Sequence, residues 1–304
     1  MSKPNIAIIL VNWNGFEYTQ SCILSLLNCH YQKYKIIVVD NNSSDLSIEK
    51  LKKDFPDVKY IQNKFNIGFT GANNIGIKWA LNNDFEYIAL LNNDTEVEPD
   101  FLDHLLTPFE QDSLIGAVQP LILQYNRRNI VWNGGGQINY NFGRFLNVNK
   151  GSNKNHITPI HNIDWITGCC FMLKSEVINK VGLLDEFFFV YFEDADWSIR
   201  IKKYGYKLFF QPKSIVYHHE GVSWISSKKN NEGYISPRTH YLNIRNHIYI
   251  IKKHKSQFNF LPTFLFQLFK VSAYVMYFTL RGRFFKLKKV FQGVRDGIVS
   301  NVNA

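Results

Sequence analysis

The sequence predicts an α/β protein whose mostly parallel central sheet has helices on both faces, followed by amphipathic helices at the C-terminus. Three observations support this class. Short apolar runs that end on polar residues alternate with segments of helical periodicity. The 304 residues are 45% hydrophobic, which suffices for one large core. The last part of the chain is basic and apolar, so we divide the sequence into a domain at 1–250 and a C-terminal region at 251–304.

Strands and helices alternate through the first 110 residues. Apolar runs predict strands at 6–11, 34–39, 58–61 and 88–91. Helical spacing of apolar residues predicts helices at 17–27, 47–55, 72–80 and 100–110. Residues 115–162 are rich in glycine and asparagine and predict loops and short strands, with strand character returning at 164–173 and 207–216. This alternation favours right-handed crossovers within one sheet.

Polar residues follow the first two predicted strands. Asn12 and Asn14 come after the first strand, and Asp40 and Asn42 come after the second. Ligands of open α/β sheets bind beyond the carboxyl ends of the strands, so these side chains are candidates to contact a nucleotide. Asp40 can accept a hydrogen bond from a ribose or a base, and Asn12 and Asn14 can pair with base edges. Each of them taken alone fits an ordinary Asx turn equally well.

Asp94 is the candidate metal ligand, and one of two adjacent histidines is a candidate to join it. Asp94 follows the apolar run 88–91 after Asn92 and Asn93, and a carboxylate there can hold a hard divalent cation that also binds substrate phosphates. His218 and His219 follow the strand predicted at 207–216, and a neutral imidazole suits a manganese-like cation. Because adjacent side chains point in different directions, at most one of the two would face the site. The alternatives are a plain turn at Asp94 and a structural histidine after a strand.

A glycine-bearing loop at 66–74 precedes the helix expected to begin near Ala72. Gly68 and Gly71 allow the backbone to approach a ligand closely, and the N-terminus of the helix offers N–H groups to an anion. The loop is not the dinucleotide fingerprint, because that motif follows the first strand directly. The alternative interpretation is a helix start with close glycine packing.

The stretch 187–203 is the densest in chemically active residues. Aromatic residues precede the carboxylates of Glu193, Asp194 and Asp196. An apolar environment raises the pKa of a carboxyl group and makes it a better base. The alternative is a helix whose first turn favours acidic residues electrostatically. Trp165 and Thr167 lie earlier, where they fit either a pocket wall or the core.

The remaining composition bears on location. Four cysteines show no zinc or disulfide spacing, and the N-terminus shows no signal-peptide pattern, so we expect a cytosolic setting. Residues 251–304 carry ten Lys and Arg against one Asp, nearly all of the net charge of +10. The apolar stretch 258–280 contains Lys270, which costs about 2.5 to 3.5 kcal/mol at a bilayer centre. We therefore expect helices that lie on a membrane or pack on the first domain, including a basic amphipathic helix at 284–298. Nucleic acid binding is disfavoured, because no nucleic-acid fold or stacking platform is recognisable.

Taken together, the motifs resemble family 2 glycosyltransferases of the GT-A fold, most closely the rhamnosyltransferase-like branch. The matching stretches occur in the family's order over residues 5–250: VNWNG, VVDNNSSD, NIGFTGANNIG, LLNNDTEV, TGCCFML, FFFVYFEDADWSIR and HHEGVS. The combination is far more specific than any one of these motifs.

The resemblance implies roles for residues that match the family's motifs. Asp194 is the expected catalytic base of an inverting enzyme, with Glu193 positioning the acceptor. Asp94 and His218 are expected to hold Mn²⁺ or Mg²⁺, although Asn92 stands where the D-x-D motif has its first aspartate. Nucleotide binding is expected at Asn12, Asn14, Asp40, Asn42, Asn66, Gly68, Asn74, Asn93 and Arg245, the last neutralising the leaving diphosphate. Acceptor binding is expected at Trp165, Thr167, Gly168 and Trp197.

The function implied is transfer of a sugar, including rhamnose, from a UDP-, dTDP- or GDP-sugar to a hydroxyl of a glycan or lipid-linked acceptor during cell-surface polysaccharide synthesis. The expected location is the inner face of the cell membrane, on its cytoplasmic side. Two other functions are alternatives to this one, a nucleotidyltransferase and a non-catalytic sugar-nucleotide-binding protein. A nucleotidyltransferase would carry a glycine-rich loop with a basic residue after the first strand, which VNWNG lacks. A non-catalytic sugar-nucleotide-binding protein would have no need of Glu193 and Asp194.

Overall fold

The computed structural model describes residues 3–157, 162–219, 225–230 (backbone only) and 232–302. The chain forms two compact units. Unit 1 comprises the residues up to 137 together with 147–189 and 193–220, and unit 2 comprises 138–146, 190–192 and 221–304. The predicted boundary at 250 falls inside the helix Pro237–Lys253, all of which belongs to unit 2.

The described residues contain the following strands: β1 Ile6–Asn12, β2 Tyr34–Asp40, β3 Lys59–Gln62, β4 Tyr87–Asn92, β5 Thr95–Val97, β6 Ile115–Gln124, β7 Arg127–Asn133, β8 Gly136–Asn139, β9 Arg144–Asn147, β10 Cys170–Lys174, β11 Lys207–His218, β12 Ile225–Asn230 and β13 Gly233–Ile235. The α-helices in the same part of the chain are α1 Phe16–Leu27, α2 Ser47–Asp54, α3 Gly68–Leu81, α4 Phe101–Gln111, α5 Ser175–Val181, α6 Glu193–Lys203, α7 Pro237–Lys253, α8 Phe260–Leu280 and α9 Phe284–Val299.

The central sheet of unit 1 has the strand order β3-β2-β1-β4-β10-β6-β11-β5, with β7 paired to β6. β1 runs parallel to β2 and β4, and β6 runs parallel to β11. β10 is antiparallel to both of its neighbours, and β5 is antiparallel to β11. The α/β class is confirmed, and the sheet is mixed because β10 and β5 run against the strands beside them.

The sheet is covered on both faces, as its apolar runs predict. Alternate residues of β1 enter different cores, with Ile8 on one face and Ile9 on the other. The first core is closed by apolar residues of α1, α2 and α4, and the second by those of α3, α5 and α6. Ile8 and Ile9 are both fully buried, because helices pack against each of the two faces of this central strand.

The register brings the polar ends of the first strands to one edge of the sheet. Asn12 lies opposite Asp40 in the β1–β2 pair, and Val11 lies opposite Asn92 in the β1–β4 pair. Parallel strands that start in register also end together, so the expectation that these polar clusters gather along one edge is confirmed.

The structure differs from the sequence prediction most clearly at 115–162. β6 is a ten-residue strand near the middle of the sheet, longer than the short strands predicted there, whereas β7, β8 and β9 agree with that prediction. Gly116 and Pro120 interrupt the apolar pattern of β6, so the sequence does not predict a strand of this length. Pro120 has no N–H to donate, and the pairing of β11 with β6 is irregular just beyond Gln211, the partner of Pro120.

Two other boundaries differ. α3 begins at Gly68 and not near Ala72, so most of the predicted glycine loop is helical. The strand expected at 164–173 begins only at Cys170. The helix α5 follows directly, and the hydroxyl of its first residue, Ser175, donates to the carbonyl of Phe85.

Unit 2 contains α7, α8 and α9, which share a small core around Ile244, Phe278 and Val290. By length and composition alone, α8 could cross a membrane. Little of it is buried within the structure. Lys270, near its middle, turns inward: its Nζ contacts Nδ1 of His247, whose Nε2 lies 2.6 Å from the carbonyl of Gly143. Burial lowers the pKa of Lys270 to about 7. The charged group of α8 therefore faces the interior of unit 2.

α7 also holds a short segment with unusual backbone. Asn246 is fully buried, and its Nδ2 donates to the carbonyls of Val190, at 2.8 Å, and Tyr191, at 2.9 Å. The Phe192 ring stacks on His247 with centroids 4.9 Å apart. Tyr191 and Phe192 have positive φ angles of 74° and 70°, a conformation that bulky residues rarely adopt, so Asn246 fixes a strained stretch.

Candidate active site

Asp94 and His218 meet at the edge of the sheet. Asp94 lies in the turn between β4 and β5, and the antiparallel pairing of β5 with β11 places His218 opposite Thr95. The Oδ1 atom of Asp94 is 3.3 Å from Nε2 of His218, and the two residues are 6% and 7% exposed. The amide of His219 donates to the carbonyl of Asp94 at 2.9 Å, which fixes the turn.

This pair fits a divalent cation that is also bound by substrate. Adjacent ligands of an octahedral ion, each about 2.1 Å from it, are roughly 3 Å apart, close to the spacing of Asp94 Oδ1 and His218 Nε2. The Nδ1 atom of His218 is buried and has no hydrogen-bond partner among the described residues. No group of three His, Cys, Asp or Glu side chains in the described part of the chain could hold a metal. The remaining ligands would therefore be phosphate oxygens and water.

Asp194 is a carboxylate that the amide of Gly168 contacts. It lies in the first turn of α6, where Oδ2 accepts from the amide of Gly168 and Oδ1 from the amide of Ala195, both at 2.8 Å. Burial raises the pKa of Asp194, and the hydrogen bonds from these amides oppose that effect. A carboxylate with a raised pKa is a better proton acceptor, and each oxygen keeps a lone pair for a substrate.

Gly168 brings the predicted acceptor loop against this carboxylate. A Cβ atom at Gly168 would lie 3.4 Å from Oε1 of Glu193 and 3.4 Å from the ring of Phe69. Thr167, next to it, is 6% exposed, and its amide donates to Oε1 of Gln119 at 3.0 Å. Gly168, Glu193 and Asp194 are thus brought together as predicted, and any side chain at 168 would narrow the space beside them.

The chain enters α6 through a strained turn in which Phe189 has φ 64°. Gly68, with φ +80°, packs so closely that a Cβ atom there would lie 2.5 Å from the Phe189 ring. The amide of Thr70 donates to the Phe189 carbonyl at 3.2 Å. Such a conformation costs on the order of 1 to 3 kcal/mol and persists only where neighbours impose it. In this structure Gly68 and the N-terminus of α3 support the segment before Glu193, so the amide of Thr70 is not open to an anion.

Asn12 and Asp40 form a closed network. The Asn12 amide nitrogen lies 2.8 Å from Oδ1 of Asp40 and 2.9 Å from the hydroxyl of Ser47, and its oxygen accepts from Thr19 at 2.8 Å. Asp40 also accepts from the hydroxyl of Ser43 at 2.6 Å. Asn12 is 0% and Asp40 2% exposed. The network holds the ends of β1 and β2 in place, and direct contact of these two residues with a base or ribose stays a prediction.

Asn14 and Asn42 are exposed residues with positive φ angles of 50° and 65°. The side-chain oxygen of Asn14 accepts from the amide of Ser44 at 2.7 Å, so it joins the loop after β1 to the loop after β2, and nucleotide contact by Asn14 stays a prediction. Asn93 donates to the hydroxyl of Thr19 at 2.8 Å. Asn14 and Asn42 are the most accessible of the predicted nucleotide contacts at these strand ends.

Asn66 and Asn74 serve to position other segments. Asn66 accepts from Asn41 at 3.1 Å and from the amide of Gly68 at 3.0 Å. The Asn74 side chain is 1% exposed and pairs with both the amide, at 3.1 Å, and the carbonyl, at 2.9 Å, of Leu184. With its amide used in this way, Asn74 anchors the segment that leads to α6, and nucleotide contact by it stays a prediction.

Two tryptophans predicted at the acceptor surface belong to the interior. Trp197 is fully buried, packs on Phe171 and donates from Nε1 to the carbonyl of Gly182 at 2.8 Å, so the prediction that it contacts an acceptor is wrong. Trp165 is 8% exposed and lies so close to Gly136 that a Cβ atom there would be 2.4 Å from its ring. This agrees with the core alternative for Trp165.

Asp196 and Arg245 also have identified partners. Asp196 is fully buried and pairs with Arg200 at 2.9 Å, which makes it structural. Arg245 belongs to α7 in unit 2, where its guanidinium lies over the Tyr241 ring and Nε donates to Asn246 at 2.8 Å. Its contact with a leaving diphosphate stays a prediction. Of the stretch HHEGVS, only His218 and His219 lie among the described residues.

The sequence did not reveal two buried amides that organise this edge. Asn41, 3% exposed, donates to Asn66 and to the carbonyl of Gly68 and accepts from the amide of Ile67 at 3.1 Å. Gln119, fully buried in β6, links Thr167 to Asn133, to which its Nε2 donates at 2.9 Å. A polar residue within an apolar run is the one signal that could have identified Gln119, and it was hidden because β6 was not recognised as one continuous strand.

Comparison with known proteins adds to this geometry. A family model described as glycosyl transferase family 2 matches residues 7–182. The low-salt glycan biosynthesis hexosyltransferase Agl10 of Haloferax volcanii is 26% identical over 241 residues, which cover 78% of this chain and 75% of Agl10. The N-acetylglucosaminyl-diphospho-decaprenol L-rhamnosyltransferase of Mycobacterium tuberculosis is 22% identical over 240 residues, 72% of this chain and 77% of that protein.

Solved structures identify the fold. The crystal structure of GalNAc-T7 with UDP, GalNAc and Mn²⁺ matches with a TM-score of 0.66 and 17% identity, covering 99% of this chain and 58% of that one. At this level of identity the likeness shows the fold alone, which is the GT-A fold of glycosyltransferases.

Proposed function

The chain belongs to glycosyl transferase family 2, and on that premise we propose that it is an inverting, metal-dependent enzyme that moves a hexose or rhamnose from a nucleoside-diphosphate sugar to an acceptor hydroxyl. The observation that carries the proposal is the buried Asp94–His218 pair, 3.3 Å apart at the carboxyl edge of the sheet. In the same unit, the desolvated Asp194 beside Gly168 supplies a base.

A divalent cation bound by Asp94 and His218 would neutralise charge on the leaving diphosphate. Asp194 takes the proton of the acceptor hydroxyl as that oxygen forms a bond to the anomeric carbon. The bond from this carbon to the diphosphate oxygen breaks, and its electron pair leaves with the nucleotide. One displacement of this kind inverts the anomeric configuration, so no covalent intermediate on the protein is required.

The relatives support the donor and acceptor classes of this proposal. Their names include hexosyl and L-rhamnosyl transfer and, in one case, a diphospho-decaprenol acceptor. We extend this to a UDP-, dTDP- or GDP-sugar donor and to a glycan or lipid-linked acceptor in cell-surface polysaccharide synthesis. The exposed apolar residues of α8 support a peripheral location on the cytoplasmic face of the membrane, with Lys270 turned away from lipid.

The test is calorimetric titration of the purified full chain with UDP, dTDP and GDP, each in Mn²⁺ and again in EDTA. We expect one nucleotide to bind clearly in Mn²⁺ and to lose most of its affinity in EDTA. Failure of all three nucleotides to bind a folded protein in Mn²⁺ would contradict the proposal. If a nucleotide bound equally well in Mn²⁺ and in EDTA, the proposed nucleotide site would stand and the proposed metal dependence would be refuted.

A further inference from the structure

A cleft of about 810 Å³ lies in unit 2 and is lined by none of the residues assigned to the candidate active site. Its walls combine aromatic rings with positive charge, and the main side chains are Tyr274, Tyr277, Phe278, Arg281, Arg283 and Lys286. Clefts of this size hold small ligands or the head of a larger one. The combination of rings and cations indicates a ligand with both anionic and apolar parts.

Positive charge is concentrated in this cleft. Among the described residues, none of Arg281, Arg283 and Lys286 forms an ion pair through its side chain, and both guanidinium groups lie over the ring of Tyr277, at 5.9 and 5.6 Å. Lys286 is 2% exposed, its Nζ lies 5.7 Å from the Phe278 ring centroid, and the carboxylate of Glu232 attracts its charge. Three cations beside this one carboxylate leave a net positive charge, which favours binding of an anion.

Two neighbouring groups set the charge of the cleft. The carboxylate of Glu232 accepts from the backbone amides of Phe285 and Lys286, both at 3.3 Å, at the start of α9. Burial, with smaller contributions from Lys286 and Arg283, lowers the pKa of His240 to about 4. His240 is therefore neutral at physiological pH, and the cleft keeps an excess of positive charge.

The turn between α8 and α9, which supplies two of the arginines, exposes large apolar side chains. Leu280 is 80%, Phe284 64% and Phe285 72% exposed. Exposed apolar residues beside cations are the pattern of a segment that enters the interface of an anionic bilayer. A soluble phosphate or a nucleotide would have no use for these side chains.

We infer that this cleft binds the phosphate headgroup of an anionic membrane lipid, with Arg281, Arg283 and Lys286 around the phosphate and the α8–α9 turn inserted beside it. Arginine suits this role, because its planar fork can donate two hydrogen bonds to one phosphate. The site gives the membrane contact a specific chemical basis, and it does not depend on the transfer reaction.

The experiment is sedimentation of the full chain with phosphatidylcholine vesicles, with and without phosphatidylglycerol, at physiological salt and without nucleotide. We expect binding to require phosphatidylglycerol and to weaken by about tenfold or more in the double variant Arg281→Gln/Arg283→Gln. The matched control, Lys288→Gln/Lys289→Gln, removes two charges from α9 outside the cleft, and we expect a clearly smaller loss because these residues do not line the site.

Each outcome decides the inference. Equal losses in the two double variants would show a diffuse electrostatic contact and overturn the specific site. Displacement from vesicles by millimolar inorganic phosphate would show a soluble-phosphate site, and no binding to either vesicle would refute lipid recognition. Thermal unfolding and nucleotide titration of the same variants show whether they fold and keep the active site, so this inference can fail while the proposed transfer reaction stands.

Discussion

Two groups of polar residues stand at the same edge of the sheet in unit 1 and behave differently. In the first group, around Asn12 and Asp40, the side chains are hydrogen-bonded to one another and buried. In the second, Asp94 and His218 are buried and Asp194 is half-buried, but His218 Nδ1 has no partner among the described residues, and desolvation raises the pKa of Asp194. A satisfied polar group stabilises the fold, whereas an incompletely satisfied one remains available to a ligand.

Residue type and position in the chain do not distinguish the first group of residues from the second. Asn12, Asp40, Asp94 and His218 stand at the ends of strands, Asp194 lies in the first turn of α6, and both groups carry amides, carboxylates or imidazoles. What separates them is where their hydrogen bonds go. Variants in the first group should therefore lower stability, and variants in the second should lower activity or ligand binding.

The largest effect is expected for Asp194→Asn. Loss of the base should lower kcat by about 10² to 10⁴-fold while nucleotide affinity changes little. Transfer assays and calorimetry measure the two quantities. Glu176→Gln, which changes an exposed acid in the first turn of α5, is the control for helix electrostatics and should keep full activity. Retained turnover in Asp194→Asn would remove Asp194 from the reactive group.

Asp94→Asn should follow in size. Loss of the carboxylate leaves His218 as the single candidate ligand, so the Mn²⁺-dependent part of nucleotide affinity should fall by roughly 10 to 100-fold. Calorimetry in Mn²⁺ and in EDTA separates that part from the rest. Asp57→Asn, at an exposed position, should change nothing. An unchanged difference between Mn²⁺ and EDTA in Asp94→Asn would place the metal elsewhere.

Asn12→Ala tests the closed network. The change leaves Thr19, Asp40 and Ser47 without a shared partner in a buried site, which should cost about 2 to 4 kcal/mol of unfolding free energy. Tm should fall by roughly 5 to 15 °C in a thermal melt. Asn82→Ala, at an exposed position, should leave Tm nearly constant. If Asn12→Ala keeps the Tm of the unmodified protein but no longer binds nucleotide, Asn12 belongs with the second group of residues.

The smallest effect expected is a pH dependence centred on Asp194. Its folded pKa is raised above the usual 3.8, so activity should fall as pH drops through the raised value and the base becomes protonated. Stability should move the opposite way, because the stability this group contributes is complete below 3.8 and is lost as pH rises through the folded pKa. Asp194→Asn should abolish both trends, which pH–rate profiles and melts can show. If activity and stability changed with pH in the same direction, the assignment of both effects to Asp194 would be contradicted.

Much of the fold was predictable because it depends on local pattern. The runs that form β1, β2 and β4 are uninterrupted, so their common edge and the gathering of polar residues there follow directly. The full length of β6 was missed because Gly116 and Pro120 break its pattern, and only the pairing with β10 and β11 shows its position.

The candidate site was predictable in part. The Asp94–His218 contact joins residues far apart in sequence, and the motif order pointed to it. The internal use of Asn12, Asn41 and Asn74 could not be predicted, because their partners are set by tertiary contacts. The burial of Trp197 was hidden for the same reason, since an aromatic residue beside a catalytic carboxylate suits a pocket and a core equally.

The strained turn before Glu193 has a consequence for how the enzyme loses activity. Phe189, Tyr191 and Phe192 all have positive φ, so this stretch is held above its relaxed energy by a few contacts, including those of Gly68, Thr70 and Asn246. Local opening of such a stretch requires less free energy than unfolding the buried sheet. As temperature rises, the carboxylates of Glu193 and Asp194 would therefore lose their positions while the sheet is still intact, so activity would be lost before the protein unfolds globally.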